Sequence, residues 1–198
     1  MMVNIRVMTI DDYEGVYNLW INTPGMGLNT TDDSREGIDK YLKRNPTTSF
    51  VAEYDGKIIG VIMAGHDGRR GFINHTAVLP DYRKQGIATK LVDSAMDALD
   101  KEGIKKVALV VFKHNENGNG FWDNIGFTDR EDLVYRNKNI HAFDRIDTEF
   151  AGRPYFRLAC IFICRIGKQL LNLSSITNDI MLYLSTNYGK CVMIITIV

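Results

Sequence analysis

The residues best suited to chemistry lie between Phe72 and Thr89, FINHTAVLPDYRKQGIAT, where a strand-like run passes through Pro80 and Asp81 into a helix beginning near Gly86. A helix start leaves main-chain N–H groups without partners and carries partial positive charge, so such a turn can hold a pyrophosphate. Gly86 removes the side chain where a phosphate must come close, Ala88 is the next smallest choice, and Thr89 offers a hydroxyl. Arg83 and Lys84 add charge for phosphate oxygens. Taken alone, Arg-x-x-Gly-x-Ala is equally compatible with an ordinary loop bearing surface charges.

The surrounding elements would have to position that turn. Met2 to Met8 alternates as an edge strand does, and Thr9 with Asp12 offers a capping-box start for a helix through Trp20. Pro24, Gly25 and Gly27 break the chain between Asn22 and Thr31, and a second helix is expected from Ser34 to Lys43, with Ile38, Tyr41 and Leu42 facing inward. Ser49 to Tyr54, Asp55-Gly56 and Lys57 to Gly65 read as a hairpin with a type I′ turn. After a strand from Phe72 to Leu79, apolar residues recur at Ile87, Leu91, Val92, Ala95, Met96 and Leu99 as a helical stripe ending at Gly103. The apolar run Lys106 to Phe112 suits a strand covered on both faces. A helix over Gly120 to Ile125, starting late because of Gly118 and Gly120, and a strand from Arg130 to Arg136 complete the pattern. The order predicts an α/β (α+β) fold: a mixed sheet with helices on both faces.

Composition narrows the partners. The 24 basic and 24 acidic residues balance, so no general positive field exists to attract nucleic acid or an anionic membrane. The amino terminus lacks the apolar core of a signal peptide, and the first 159 residues contain no cysteine, which points to a cytoplasmic protein. Cys160 and Cys164 could share a helix face, but no His or second Cys pair lies at ligand spacing, so no metal site is expected. Residues 141–198 are less charged than the first 140, and their apolar runs are too short to span a bilayer. Three roles are open to that extension: packing on a domain formed by 1–140, a homodimer contact, or an unselected appendage.

From Asn4 to Arg136 the chain resembles the GNAT superfamily of N-acetyltransferases. The family signature [RQ]-x-x-G-x-[GA] is met by Arg83-Lys84-Gln85-Gly86-Ile87-Ala88, after the familiar lead-in Ala77-Val78-Leu79-Pro80-Asp81-Tyr82. Asn115 and the Gly120 to Phe127 block are similar to its second hallmark. The resemblance implies a sheet that splays between the strand ending at Leu79 and the run Lys106 to Phe112, with the pantetheine arm of acetyl-CoA in the gap. Main-chain groups of Thr76, Ala77 and Val78 would bind that arm like an added strand, and those near Val78 would polarise the thioester carbonyl. The N–H groups of Lys84 to Thr89 would hold the pyrophosphate, and Asn115 would bond the arm from the other side.

The implied reaction is direct attack by an amine, either a small molecule or a protein amino group, on the thioester. A base must take the proton of that amine, and the candidates are His75 and Glu53. Where the family often places a tyrosine as acid, this chain has Trp122, whose indole is no acid; it either lines the pocket or belongs to the core. Tyr82 and Tyr135 are substitutes without positional support. Trp20, Met26 and Leu28 would wall the acceptor side or simply staple a loop. Two other readings stay open: a module that binds acetyl-CoA without turnover, and an enzyme using the turn for a different nucleotide, which lacks the usual glycine motifs.

Overall fold

Asp55 and Gly56 both adopt left-handed backbone, with φ of 51° and 69°, the pair of positive angles a type I′ turn requires. They join β3 (Phe50–Tyr54) to β4 (Lys57–His66). The computed structural model describes residues 2–142 and 144–146, and the backbone of 180–187 and 190–197. β4 lies at the centre of a five-stranded sheet in the order β1-β3-β4-β5-β6, where β1 is Asn4–Val7, β5 Gly71–Val78 and β6 Val107–Leu109. All neighbours are antiparallel except β5 and β6.

Side-chain alternation divides the core into two layers. Val51, Val61, Met63 and Ala77 point to the face covered by α1 (Tyr13–Ile21) and α2 (Arg35–Arg44). Ala52, Ile62, Ala64 and Val78 point to the face covered by α3 (Ile87–Lys101). Leu91 and Leu99 of α3 are wholly buried, and truncating either to alanine would cost roughly 2–5 kcal/mol. Ser34 caps α2 by accepting from the N–H of Gly37 at 3.1 Å, as its position before the helix predicts.

The predicted edge strand, hairpin and both long helices are present, and several details differ. The strand buried on both faces is β4, where Ile59 to Gly65 are all buried, rather than 106–112. β6 is only three residues long, and Val110 and Phe112 are exposed, because β5 alone pairs with it among the described residues. No strand forms over Arg130 to Arg136; a local ion pair, with Arg130 Nε donating to Asp132 Oδ1 at 2.7 Å, closes a turn there and leaves Leu133, Val134 and Tyr135 in solvent. Met96 falls at the rim of the α3 stripe and is exposed.

α4 (Glu116–Asn124) begins earlier than expected and contains both glycines. Asn115 supplies the missing start signal, its Oδ1 accepting from Gly118 N–H at 2.9 Å. A two-residue strand β2 (Leu28–Asn29) pairs with β7 (Arg145–Ile146). The chain divides into compact units 1–152 and 153–198. In the second unit β8 (Ile180–Asn187) and β9 (Lys190–Ile197) form an antiparallel hairpin. Cys160 and Cys164 lie outside the described residues, and of Cys191 only the backbone is described. Among the described residues no helix is long and apolar enough to cross a membrane, and no cluster of three potential ligands could hold a metal ion.

Candidate active site

The site begins where two strands stop pairing. β5 and β6 run parallel only from Gly71 with Val107 to Ile73 with Leu109, and beyond Ile73 that edge of β5 has no ladder partner among the described residues. Leu79 N–H donates to Ile59 O across to β4 at 2.9 Å, so by strand alternation the main-chain groups of Val78 and Thr76 face the open edge. Val78 O is already engaged, accepting from Arg83 Nε at 2.8 Å, which leaves the Val78 N–H as the group available to a ligand. Arg83 therefore braces the turn with one guanidinium donor while its other guanidinium N–H groups make no bond among the described residues.

The turn that follows is shaped for an anion. Lys84 and Gly86 both have positive φ, 60° and 73°, and such left-handed residues fold successive N–H groups toward one concavity. Among the described residues none of the six N–H groups from Lys84 to Thr89 donates to a protein acceptor; the first helical bond is from Lys90 N–H to Gly86 O at 3.1 Å. A Cβ built on Gly86 would meet nothing within 4 Å. The space beside it is thus empty of protein and open to a ligand.

A cavity of about 1670 Å³ runs from this turn along the open edge of β5 to the loop at Thr23–Gly27 and to α2. Single-ligand pockets occupy roughly 300–1,000 Å³, so the volume accommodates two substrates side by side. Thr76, Ala77, Val78, Arg83, Lys84, Gly86, Ile87, Ala88, Thr89, Asn115 and Trp122 all line it, whereas Gln85 does not. Among the described residues Thr76 Oγ1 is buried without a hydrogen-bond partner, an orphan that fits a site completed by a bound ligand.

Residues 13–127 match the model of the Acetyltransferase (GNAT) family. The chain belongs to the GNAT acetyltransferase family. An acetyltransferase of Pectobacterium atrosepticum is 32% identical over 125 residues, covering 63% of this chain and 87% of that one. Among solved structures, the PaiA N-acetyltransferase of Thermoplasma acidophilum in complex with coenzyme A superposes with a TM-score of 0.59 at 20% identity, over 66% of this chain and 92% of that one. The aminoglycoside N-acetyltransferase AAC(6′)-Iy bound to a coenzyme A bisubstrate analogue does so with a TM-score of 0.57 at 22% identity, over 70% and 99%. This GNAT protein is accordingly an acetyl-CoA-dependent N-acetyltransferase, and the unbonded amides, the empty space at Gly86 and the open strand edge fit that cosubstrate.

Of the two base candidates only His75 is in the cavity wall. Two steps along β4, from Ile62 to Ala64, oppose three along β5, from Thr76 to Ile73. This bulge inverts the facing of β5, so Ile73 packs toward α3 while Ala77 packs toward α1 and α2. His75 lies within it, edge-on to Trp20 with ring centroids 4.9 Å apart. Its Nε2 is 2.7 Å from Oδ1 of the buried Asp33, a residue that sequence reasoning missed. Glu53, on β3, is held instead by Arg6 of the edge strand β1, whose Nε donates to it at 2.9 Å, and lies outside the cavity wall.

The other expectations resolve residue by residue. Trp122 is buried, edge-on to Phe121 and Phe127 at 5.0 and 5.1 Å, and touches the cavity from within the core. Trp20 and Leu28 are core, and only Met26 of that trio lines the acceptor end. Tyr82 and Tyr135 both border the cavity, Tyr82 packed against Tyr54 and Tyr135 in solvent. Tyr41, in the α2 wall, has its hydroxyl pushed up to about 12 by burial, partly countered by the hydrogen bond from Asn74.

Proposed function

We propose that this protein acetylates a primary amine by direct attack within the cavity between α2 and the open edge of β5, with His75 taking the proton of the attacking amine. The observation that carries the reading is the row of unbonded amides from Lys84 to Thr89 beside that edge. Acetyl-CoA, when bound, supplies an activated acetyl carbonyl with a stable thiolate as leaving group. The amides of the turn and the side chains of Lys84 and Arg83 neutralise phosphate charge. The N–H of Val78 is placed to donate to a carbonyl oxygen that gains charge. His75 sits on the same strand three residues earlier, on the side of the acceptor cavity. Trp122 supplies packing, and no side-chain acid is required because a thiolate leaves without one.

The acceptor is a small amine or a protein amino group, a range matched by the neighbours, which include an aminoglycoside N-acetyltransferase and the ribosomal-protein-S18-alanine N-acetyltransferase of Escherichia coli. The reading includes action in the cytoplasm, which the absence of cysteine from the first 159 residues supports. Thiol release from acetyl-CoA, followed across a panel of aminoglycosides, polyamines, amino acids and amino-terminal peptides, tests it. A burst of turnover with one class identifies the acceptor, while loss of that turnover in His75→Gln at unchanged coenzyme A affinity supports the proton role. Full turnover in His75→Gln would remove His75 from the mechanism.

A further inference from the structure

His75 does not stand alone, and the group behind it is built into the fold more firmly than an incidental neighbour. Asp33 has a side chain only 4% exposed, against 20% for His75. Both of its carboxylate oxygens are used: Oδ1 faces His75 Nε2 at 2.7 Å and Oδ2 accepts from Asn29 N–H at 2.7 Å. Its main-chain oxygen accepts from the Tyr13 hydroxyl at 3.0 Å, tying the turn to α1. Asn29 Oδ1 in turn accepts from Thr31 and Asp32 N–H at 2.9 and 2.6 Å. On the far side, a Cβ on Gly37 would lie 2.4 Å from Asp32 O and 2.5 Å from Thr31 O, so the turn is clamped against α2 at a distance only glycine permits.

We propose that Asp33 is a positioning residue for His75. A carboxylate can only accept, so the proton between the two groups belongs to His75 Nε2, and Nδ1 becomes the ring atom that takes the proton from the amine. The bulge in β5 turns the ring into the cavity, Trp20 meets it in an edge contact, and Asp33 fixes its tautomer. Trp20 Nε1, buried without a hydrogen-bond partner among the described residues, adds no competing donor to the ring. In the transfer the amine nitrogen forms its bond to the acetyl carbon, the carbon–sulfur bond breaks with its electron pair leaving on sulfur, and the displaced ammonium proton passes to Nδ1. This inference rests on the assignment of His75 as proton acceptor, and its test separates the two.

Asp33→Asn is the informative change because Asn29 N–H still requires an acceptor. The amide oxygen of the variant therefore stays on Asn29, its NH2 turns to His75, and Nε2 is forced to accept, which moves the ring proton to Nδ1. Full-length protein labelled with 15N-histidine reports both states by the shifts of the two ring nitrogens above neutral pH, with His75 assigned by signal loss in His75→Gln. The wild type is expected to show a protonated Nε2 and a bare Nδ1, and Asp33→Asn the reverse. kcat should fall about 10²–10⁴-fold in Asp33→Asn, the usual span of a general-base contribution, while KM for acetyl-CoA changes less than about threefold because the pyrophosphate turn is untouched.

A wild-type ring protonated on Nδ1 overturns the proposal without recourse to any variant, which covers the case where Asp33→Asn does not fold. Retention of kcat by Asp33→Asn with an inverted tautomer also overturns it. Retention of turnover by His75→Gln refutes the proton-acceptor assignment instead, whatever the spectra show for Asp33.

Discussion

Replacement of Gly86 by valine separates the stability of the pyrophosphate turn from its binding role. Gly86 has φ of 73° and ψ of 7°, a conformation that costs an L-residue about 1–2 kcal/mol and a β-branched one at the upper end. Since a Cβ there meets no protein atom within 4 Å, no steric penalty adds to that figure. For a domain of this size the melting temperature should drop by roughly 2–4 °C per kcal/mol, so the variant stays folded. Binding is affected differently, because the added methyls occupy the empty space through which a phosphate reaches the six unbonded amides. Hydrogen bonds to a charged group contribute about 1.5–3 kcal/mol each. Loss of two of them weakens coenzyme A binding by about 3–6 kcal/mol, or roughly 10²–10⁴-fold. Isothermal titration calorimetry of wild type, Gly86→Ala and Gly86→Val against coenzyme A, with calorimetric melting of each, measures both effects. A folded Gly86→Val whose Kd stays within threefold of wild type would refute the assignment of this turn to the pyrophosphate.

Three further expectations come from other parts of the chain. Tyr41 titrates at about 12 when folded and near 10 when unfolded; the folded state then holds its proton longer, so stability contributed by the neutral phenol is complete below pH 10 and lost between about 10 and 12. Tyr41→Phe should flatten that part of the alkaline stability curve, as read by urea denaturation at each pH, and an identical slope would contradict it. Trp122→Ala should lower stability by roughly 3–5 kcal/mol, since it empties an aromatic cluster, whereas Trp122→Phe should keep kcat within a few-fold; a large kcat loss in the phenylalanine variant would give the indole a chemical role. Truncation after Gly152 should preserve turnover, but truncation after Ile140 removes Asp144 and β7, which bond Thr30 and β2 beside Asp33. The shorter chain should still bind coenzyme A yet lose about tenfold or more in kcat through misplacement of the His75 support; equal kcat for the two fragments would disprove that link.

What was legible in the sequence had local causes. Asp55-Gly56 declares its turn through positive φ tolerance, Ser34 declares a helix start through its hydroxyl, and Gly86 after Arg83 declares an anion turn through the groups it leaves bare. What was not legible depends on pairing at a distance. The bulge that turns His75 toward α1 exists only in the register of β5 against β4, and the His75–Asp33 contact joins residues 42 apart through a loop with no periodicity to read. The strand expected over Arg130 to Arg136 failed for the complementary reason: a strand needs a neighbour, and a bidentate contact between Arg130 and Asp132 satisfied the chain locally instead. The apolar run after Lys106 looked doubly covered because periodicity cannot tell burial by protein from exposure to a cleft.

The unzipped edge of β5 has a cost when nothing fills it. Bare strand edges recruit other polypeptides, and here the exposed Val110 and Phe112 lie close by in the same cavity wall. Occupation by a thioester carrier seals the seam, and a carrier present at a hundred times its Kd would hold the native state by about 2.7 kcal/mol more. Lifetime against proteases and clumping should therefore follow the acetyl-CoA supply, so that starvation would thin the enzyme pool before any change in its synthesis.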